Sequence, residues 1–336
     1  MSRGLLISKT IIYGVAVGDA LGFPYQFIGR KQRISNPVID MGISIDNNGN
    51  KHYLDTDEIG LWSDDTSLTL CLAESLKNGY DLKDIAERFI LWLEKGYLSA
   101  ADVAFDEGIQ TTKAIHELKD IIRSGKKKLL EDRFRKSSVN ANGNGALMRI
   151  LPLVTYINEM TLAEQFKIVQ EVSALTHPHI RSTLCCFLYL RIASRIIDKQ
   201  DLAEAIETSQ TELNNLLAQN NSFMPALQEE DQRELHRLLH TNLSCGEIDP
   251  YKKADSEIYI SSSGYVIHTL EAALWCLLNS SSYSETILKA VNLGNDTDTV
   301  AAVAGGLAAL YFGYENIPEK WIRSLKKQEI FEGYLY

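Results

Sequence analysis

Apolar residues recur at spacings of three and four along most of the chain, and this period constrains the fold more than any other feature. The pattern covers residues 5–23, 66–78, 82–95, 103–123, 161–175, 180–197, 201–218, 264–279, 284–293 and 299–312. Such spacing places the apolar side chains on one face of a helix. Strand-like alternation is rare, and the 336 residues include only seven prolines. The sequence therefore predicts an all-α protein.

The first and last of these segments have distinctive surfaces. Gly14, Gly18 and Gly22 are spaced by four residues in the first segment, so on a helix they form a stripe without side chains where another backbone can approach closely. The segment 299–312 is apolar on nearly all faces, which is typical of a buried helix. We therefore expect the start of that helix to be buried as well.

Two stretches lack the helical period and are expected to be loops. Residues 29–60 contain Pro37 and the run Asn-Asn-Gly-Asn at 47–50, and residues 137–145 contain two Asn-Gly pairs; all are typical of turns. The segment 210–231 is rich in Asn, Gln and Glu and indicates a surface helical pair or an insertion. Because the sequence has no repeat and no clear linker, we expect one domain over residues 1–336, in which residues 210–231 form either this helical pair or an insertion.

The charge and apolar runs argue against some classes of protein. With 34 basic and 44 acidic residues the net charge is −10, which excludes a global basic field for nucleic acid. No uncharged apolar run is expected to reach the ~18 residues of a membrane-spanning helix, and Lys9 interrupts an N-terminal patch that does not resemble a secretory signal. Five cysteines without C-x-x-C spacing indicate reduced thiols. We expect a cytoplasmic protein that binds neither nucleic acid nor membrane.

Two acidic clusters each stand at the start of an apolar helix. They are Ser-Asp-Asp-Thr at residues 63–66 and Asp-Thr-Asp-Thr at residues 296–299. Taken alone, the first cluster fits a helix cap, because Ser and Asp side chains accept hydrogen bonds from the first amides and acids favour the positive helix end. Burial of the second cluster costs several kcal/mol per carboxylate unless cations or strong donors compensate.

The two clusters together suggest a site for cations. If the helix starts meet, their carboxylates and hydroxyls form an all-oxygen site that suits Mg²⁺, Mn²⁺ or Ca²⁺ rather than zinc. Two ions balance about four negative charges better than one. An EF-hand is excluded because Val300 occupies the fifth position and no Gly or Glu follows at the required spacing. Mutual capping without metal stays open, although it leaves the like charges unexplained.

A third feature is the small-residue loop Asn-Gly-Asn-Gly at residues 142–145. Its backbone amides can face a ligand, and it is expected to enter a helix, where anions bind well. It is not a dinucleotide fingerprint, since Met148 stands where the third Gly belongs. A tight loop between helices is the alternative. His177 and His179 break the helical pattern further on, and one of the two could line a cleft.

These motifs stand in the order found in one known family. They are Gly14-Val15-Ala16-Val17-Gly18-Asp19-Ala20-Leu21-Gly22, Trp62-Ser63-Asp64-Asp65-Thr66, Gly143-Asn144-Gly145-Ala146-Leu147-Met148-Arg149 and Gly294-Asn295-Asp296-Thr297-Asp298-Thr299. Residues 105–111 and 263–265 also look like segments of that family. From about residue 11 to about residue 325, the chain resembles the ADP-ribosylglycohydrolases, typified by the dinitrogenase reductase-activating glycohydrolase.

The resemblance implies an all-α orthogonal bundle with two Mg²⁺ or Mn²⁺ ions that hydrolyses the bond between ADP-ribose and an acceptor, often arginine in a protein. The metal ligands that it implies are Ser63, Asp64, Asp65, Asp296, Asp298 and Thr299. The residues that it implies around the substrate are Asn142, Gly143, Asn144, Gly145, His177 and Gln26. Asp64, Asp65 and Asp106 are the implied catalytic residues, with Asp65 or Asp106 assisting as the base.

Two departures from the family pattern keep alternatives open. Many members carry Glu at the place where this chain has Gln26, and Gln cannot act as a base at neutral pH. Asn295 replaces a frequent glycine, which could alter the pocket or the backbone. One alternative is a silent protein that binds ADP-ribose or an ADP-ribosylated partner, or that blocks a transferase toxin as an immunity factor. Another is a hydrolase of a different ADP-ribose conjugate.

Overall fold

The structure is a computed structural model that describes residues 2–136, 138–218, 227–240 and 260–333. These residues fall into two compact units. The first unit contains residues 2–66, 260–264 and 268–333, and the second contains the other described residues. The single domain over 1–336 stays a prediction. Of the predicted insertion at 210–231, residues 219–226 lie outside the described residues.

Helices make up most of both units, so the prediction of an all-α protein is confirmed. The α-helices are α1 (Arg3–Gly22), α2 (Arg30–Ser35), α3 (Asp64–Leu76), α4 (Leu82–Lys95), α5 (Ile109–Arg123), α6 (Lys128–Glu131), α7 (Val154–Ile157), α8 (Leu162–Ala174), α9 (Ile180–Ile197), α10 (Leu202–Ala218), α11 (Glu229–His240), α12 (Val266–Leu278), α13 (Tyr283–Asn292), α14 (Thr297–Phe312), α15 (Glu319–Ser324) and α16 (Gln328–Glu332). Short 3₁₀ helices span Phe23–Tyr25, Arg133–Lys136, Val139–Ala141, Asn144–Ala146, Leu151–Leu153 and Tyr314–Asn316.

In the first unit, the glycine stripe of α1 faces the backbone of α14. A Cβ atom added at Gly18 would stand 2.1 Å from the carbonyl oxygen of Ala301, and one at Gly22 would stand 2.6 Å from the Cα of Asp298. Neither position can hold a larger residue unless the helices move apart. This confirms the predicted close approach of another backbone. It also brings Asp19, which lies between the two glycines, close to the start of α14.

Residues 29–60 contain regular structure, so the prediction of a loop is wrong there. Helix α2 is followed by three antiparallel strands in the order β1 (Val38–Asp40), β2 (Ile43–Ile45) and β3 (Lys51–Tyr53). Asp46 Oδ1 accepts hydrogen bonds from the amides of Asn48 and Asn50, which closes the turn between β2 and β3. Strands of three residues are too short to show a clear alternating pattern in the sequence.

Helix α5 begins later than its periodicity predicts. The apolar pattern starts at residue 103, whereas the helix starts at Ile109. Asp102 and Asp106 have φ angles of 60° and 57°, and this left-handed conformation is incompatible with a continuing right-handed helix. The prediction of helix over residues 103–108 is therefore wrong, and Asp106 lies in a loop.

Among the described residues, one stretch is long and apolar enough to cross a membrane, although Lys9 and Asp19 interrupt it, so that it is not an uncharged run. This stretch, Arg3–Tyr25, has 23 residues, and an 18-residue window within it has a mean hydropathy of 1.4. Its most apolar window is 67% buried inside the protein. A core helix in such surroundings is apolar for the same reason as a spanning helix, because most of its surface contacts apolar neighbours.

The described cysteines Cys71, Cys185, Cys186 and Cys276 are buried, as predicted for small apolar side chains. Burial raises the pKa of each of these thiols. They therefore stay protonated and poorly nucleophilic at neutral pH. Cys245 lies outside the described residues.

Candidate functional site

The start of α3 is held by the carboxylate of Asp19. The Ser63 amide donates hydrogen bonds to its two oxygens at 2.9 and 3.0 Å, and Thr66 donates from its amide at 3.0 Å and its hydroxyl at 2.5 Å. First-turn amides have no partner within their own helix, so these bonds cap α3. Ser63 Oγ adds an acceptor for the Asp65 amide at 3.3 Å. Asp19 was not among the predicted site residues, although it stands inside the glycine motif.

The start of α14 is buried, as predicted. Asp298 and Thr299 expose only 2% and 5% of their surface. The hydroxyl of Thr297 donates a hydrogen bond to the Gly22 carbonyl of α1 at 2.8 Å. Asp296 is half-buried, and its Oδ2 faces Gly264, where an added Cβ atom would stand 3.3 Å away. Any larger residue at position 264 would require this carboxylate to shift slightly.

The two acidic segments meet within the first unit. Thr299 Oγ1 donates a hydrogen bond of 3.3 Å to Asp65 Oδ2, although the two residues are 234 positions apart. Ser63 Oγ donates to the same oxygen at 3.3 Å. Asp298 interacts electrostatically with the carboxylates of Asp296, Asp65 and Asp19. The starts of α3 and α14 thus form one acidic cluster, to which α1 adds Asp19.

Burial and mutual repulsion dominate the electrostatics of this cluster. Burial raises the pKa of Asp298 well above its usual range, and the carboxylates of Asp296, Asp65 and Asp19 act in the same direction. Burial raises the pKa of Asp19 to about 6, although its hydrogen bonds from Thr66 and Ser63 act against this. Asp298 Oδ1 is buried and has no hydrogen-bond partner among the residues that the structure describes. Positive charge placed here would relieve the repulsion.

The donor atoms of the cluster suit hard divalent cations. Every side chain in it offers a carboxylate or hydroxyl oxygen, the ligands that Mg²⁺ and Mn²⁺ prefer. In the described part of the chain, no three His, Cys, Asp or Glu side chains are grouped closely enough to hold an ion as they stand. Since like charges favour separated carboxylates, the side chains would have to rotate inward around a cation.

In the second unit, residues 142–145 form a loop that is held from both sides. The Asn142 carbonyl accepts a hydrogen bond from the Val266 amide at 3.1 Å, and Gly143 forms an antiparallel bridge with Tyr265. The buried Arg149 side chain donates to the Gly145 carbonyl. A single 3₁₀ turn, Asn144–Ala146, follows instead of a long helix. The prediction that the loop enters a helix is wrong, because its glycines disfavour helix.

His177 lies against this loop. A Cβ atom at Gly145 would stand 2.7 Å from His177 Cε1 and 3.0 Å from Thr111 Oγ1, so the ring packs where a side chain would otherwise be. Thr176 Oγ1 lies 2.8 Å from His177 Nδ1. Burial, and secondly the charge of Arg149, lowers the pKa of His177 to about 3, so the ring is neutral at neutral pH. His179 instead caps α9, where its Nδ1 accepts a hydrogen bond from the Arg181 amide.

Three further residues named from the sequence lie in loops. Gln26 is half-buried and follows the 3₁₀ helix Phe23–Tyr25 in the first unit. Asp106 is half-buried in the second unit, and its φ of 57° is of the kind that clusters at functional sites. Asn295 has a φ of 62°, a conformation that Asn adopts more readily than most residues. Asn295 therefore holds a left-handed backbone in which glycine would also be favourable.

Comparison with known proteins agrees with the order of these motifs. The sequence model of the ADP-ribosylglycohydrolase family matches residues 9–335. The ADP-ribosylarginine hydrolase Tri1 of Serratia proteamaculans (strain 568) is 29% identical over 330 residues, which cover 98% of this chain and 77% of that protein. The ADP-ribosyl-(dinitrogen reductase) glycohydrolase of Rhodospirillum rubrum is 26% identical over 318 residues, which cover 93% and 87%.

A solved structure shows the same fold. It is an ADP-ribosylglycohydrolase-related protein complex that is 25% identical, with a TM-score of 0.64 over 99% of this chain and 97% of that chain. The family match covers nearly the whole sequence and includes the acidic starts of α3 and α14. The chain therefore belongs to the ADP-ribosylglycohydrolase family.

Proposed function

We propose that this hydrolase of ADP-ribose conjugates removes ADP-ribose from arginine side chains of proteins, using two Mg²⁺ or Mn²⁺ ions. The observation that carries the proposal is the contact of Thr299 with Asp65 beside the buried Asp298. The relatives support the substrate class, since one is named for ADP-ribosylarginine and the other for ADP-ribosylated dinitrogen reductase.

The proposed ligands lie at the starts of α3 and α14. They are Ser63, Asp64, Asp65, Asp296, Asp298 and Thr299. Burial of several carboxylates within one cluster is unfavourable unless cations offset their repulsion. When bound, the ions supply Lewis acidity and positive charge near the reacting ribose. Asp19 is left out of this set because its oxygens already accept the four hydrogen bonds that cap α3.

In the proposed reaction, water adds to the anomeric carbon and the bond to the guanidine nitrogen breaks. Asp65 accepts the proton of the attacking water, and a proton passes to the departing guanidine. Asp106 is the other candidate for the base. The cleaved bond leaves positive oxocarbenium character on the ribose, which the carboxylates of the acidic cluster stabilise.

The loop of the second unit is proposed to bind the anionic part of the substrate. A net charge of −10 repels anions at long range, so local donors in this loop would have to attract the diphosphate. His177 is proposed to lie beside the ribose as a neutral ring. The packing of His177 against Gly145 supports this position, because the packing fixes the ring beside the loop.

A release assay tests this function. An arginine-ADP-ribosylated protein is incubated with the enzyme and Mg²⁺, with and without a chelator. We expect ADP-ribose release that the chelator abolishes, and loss of release in Asp298→Asn. The exposed acid Asp57 of the same unit offers a matched control, so Asp57→Asn should keep full activity. Failure of release with every divalent metal would contradict the proposal.

Gln26 favours a second candidate, an ADP-ribose-binding protein with little or no turnover. Such a protein would hold an ADP-ribosylated partner or block a transferase toxin. Calorimetry that shows tight ADP-ribose binding by a protein without turnover would support it. Recovery of turnover in Gln26→Glu would then show that the binding scaffold is intact. A panel of arginine, serine and ester conjugates separates hydrolysis of other ADP-ribose conjugates from the arginine reaction.

A further inference from the structure

Phe27 is held in an unfavourable conformation with its ring in solvent. Its side chain is 80% exposed, and its φ is 61°. A left-handed conformation is unfavourable for a bulky residue, and exposure forgoes the burial that usually stabilises an aromatic side chain. Packing against the residues that the structure describes does not explain the exposed ring. Strained residues cluster at functional sites, which makes Phe27 a candidate for such a role.

Hydrogen bonds fix the backbone of Phe27 to the segment that enters α14. The Phe27 amide donates to the Asn295 carbonyl at 2.6 Å, and the Asn295 amide donates to the Ile28 carbonyl at 2.8 Å. Asn295 directly precedes Asp296 of the acidic cluster. Two main-chain hydrogen bonds therefore join Phe27 and Ile28 to Asn295, the residue before the acidic cluster.

The same segment is held from its other side by Arg30. This buried side chain donates from Nε to the Leu293 carbonyl at 2.9 Å and from Nη2 to the Ile260 carbonyl at 2.5 Å. Asn295 Nδ2 also donates to Ser262 Oγ at 3.2 Å. The turn that carries Asn295 is thus rigid, so the exposed ring of Phe27 has a defined anchor beside the site of the proposed reaction.

We propose that the ring of Phe27 stacks on the guanidinium group of the ADP-ribosylated arginine and selects this acceptor. This inference rests on the proposed function. An aromatic face attracts a planar cation such as guanidinium. Phe27 is anchored next to the acidic cluster, where the reacting ribose and its acceptor are proposed to lie, whereas the loop proposed for the diphosphate of ADP-ribose belongs to the second unit. Phe27 is therefore assigned to the acceptor and not to ADP-ribose.

Substitutions at residue 27 test the stacking. Leu, Tyr and Lys would all have to adopt the same left-handed backbone conformation as Phe27, so the variants differ only in the side chain. Leu keeps apolar area but lacks a ring, Tyr keeps the ring, and Lys adds a repelling charge. Tyr53 in β3 is an aromatic residue of the same unit that is 68% exposed, so Tyr53→Leu is the matched control. The measurements are kcat and KM for an ADP-ribosylarginine peptide and the inhibition constant of free ADP-ribose.

We expect Phe27→Leu to raise KM about two- to five-fold with little change in kcat, as for one exposed cation–π contact. Phe27→Lys should raise KM about tenfold, whereas Phe27→Tyr and Tyr53→Leu should match the wild type. The inhibition constant of ADP-ribose should stay the same in all variants. An unchanged KM in Phe27→Leu and Phe27→Lys would overturn the proposal, and so would a parallel weakening of ADP-ribose binding.

A catalytically silent wild type would contradict the proposed hydrolysis but would still allow this test. Calorimetry then compares the uncleaved ADP-ribosylarginine peptide with ADP-ribose. Weaker peptide binding in Phe27→Leu, with equal ADP-ribose binding, would support the stacking. Equal binding of the peptide by the wild type and by Phe27→Leu would overturn the stacking. So would a wild type that binds neither the peptide nor ADP-ribose.

Discussion

The carboxylate of Asp19 accepts hydrogen bonds from both the amide and the hydroxyl of Thr66, at 3.0 and 2.5 Å. Asp19 belongs to α1 and Thr66 to α3, so one helix caps another. The same carboxylate contributes to the electrostatic repulsion at Asp298 in α14. Capping of α3 and the acidic character of the cluster are therefore coupled through one residue.

Removal of the Asp19 carboxylate should destabilise the protein strongly. Asp19→Ala leaves the buried amides of Ser63 and Thr66 without their acceptor, and we expect a loss of about 3 kcal/mol in the free energy of unfolding. Urea unfolding at pH 7.5 measures it. The exposed cap Asp81 of α4 accepts hydrogen bonds from Lys83 and Asp84, and Asp81→Ala should cost about 1 kcal/mol. Equal costs would show that Asp19 is not a buried cap.

Close packing of α1 on α14 predicts opposite effects for two glycines of the same helix. Gly18→Ala places a Cβ atom 2.1 Å from the Ala301 carbonyl oxygen and should destabilise by about 3 kcal/mol. An added Cβ at Gly4 meets nothing within 4 Å, so Gly4→Ala should stabilise by about 0.5 kcal/mol. Thermal unfolding of both variants measures the difference. Tolerance of Gly18→Ala would contradict the described approach of the two backbones.

Asp298→Asn should stabilise the metal-free protein and should abolish its stabilisation by Mg²⁺. Without metal, the substitution removes a carboxyl group whose ionisation is opposed by burial and three neighbouring carboxylates, so the Tm should rise. Addition of Mg²⁺ at about 100 times its Kd should stabilise the wild type by about 2.7 kcal/mol for each ion bound and should leave Asp298→Asn unchanged. The control Asp57→Asn should respond like the wild type. An equal Mg²⁺ response in all three proteins would place the ion elsewhere.

The buried His177 should make the protein less stable as the pH falls. Burial lowers the pKa of His177 from 6.5 to about 3 in the folded state. The unfolded chain therefore takes up a proton below pH 6.5 that the folded protein does not. Stability should fall with decreasing pH between these two values, by at most about 1.4 kcal/mol per pH unit from this group.

Urea unfolding between pH 5 and 7.5 tests this effect. His177→Gln should show a shallower pH dependence than the wild type. His116 is exposed in α5, and His116→Gln serves as the control that should retain the wild-type slope. The same slope in His177→Gln and the wild type would contradict a neutral, buried His177.

The helices were predictable because their signals are local. The apolar period predicted helices over 82–95 and 180–197, and α4 and α9 have these bounds. Asp81 caps α4, and Gly96 ends it in the left-handed conformation with a φ of 63°. The small sheet was not predicted, because the pairing of its short strands depends on contacts between residues rather than on a pattern along each strand.

The sequence by itself determined the helical class, the acidic residues at the starts of α3 and α14, and the family that the order of the motifs indicates. Tertiary structure decided which of these residues meet. It placed Thr299 beside Asp65 and His177 against Gly145. It also placed Asp19 at the start of α3, although Asp19 lies 44 and 47 positions from its partners Ser63 and Thr66. A period along the chain reports which face of one helix is apolar. Burial of a carboxylate and its distance from another depend on how closely α1 packs against α14, which only the folded chain defines.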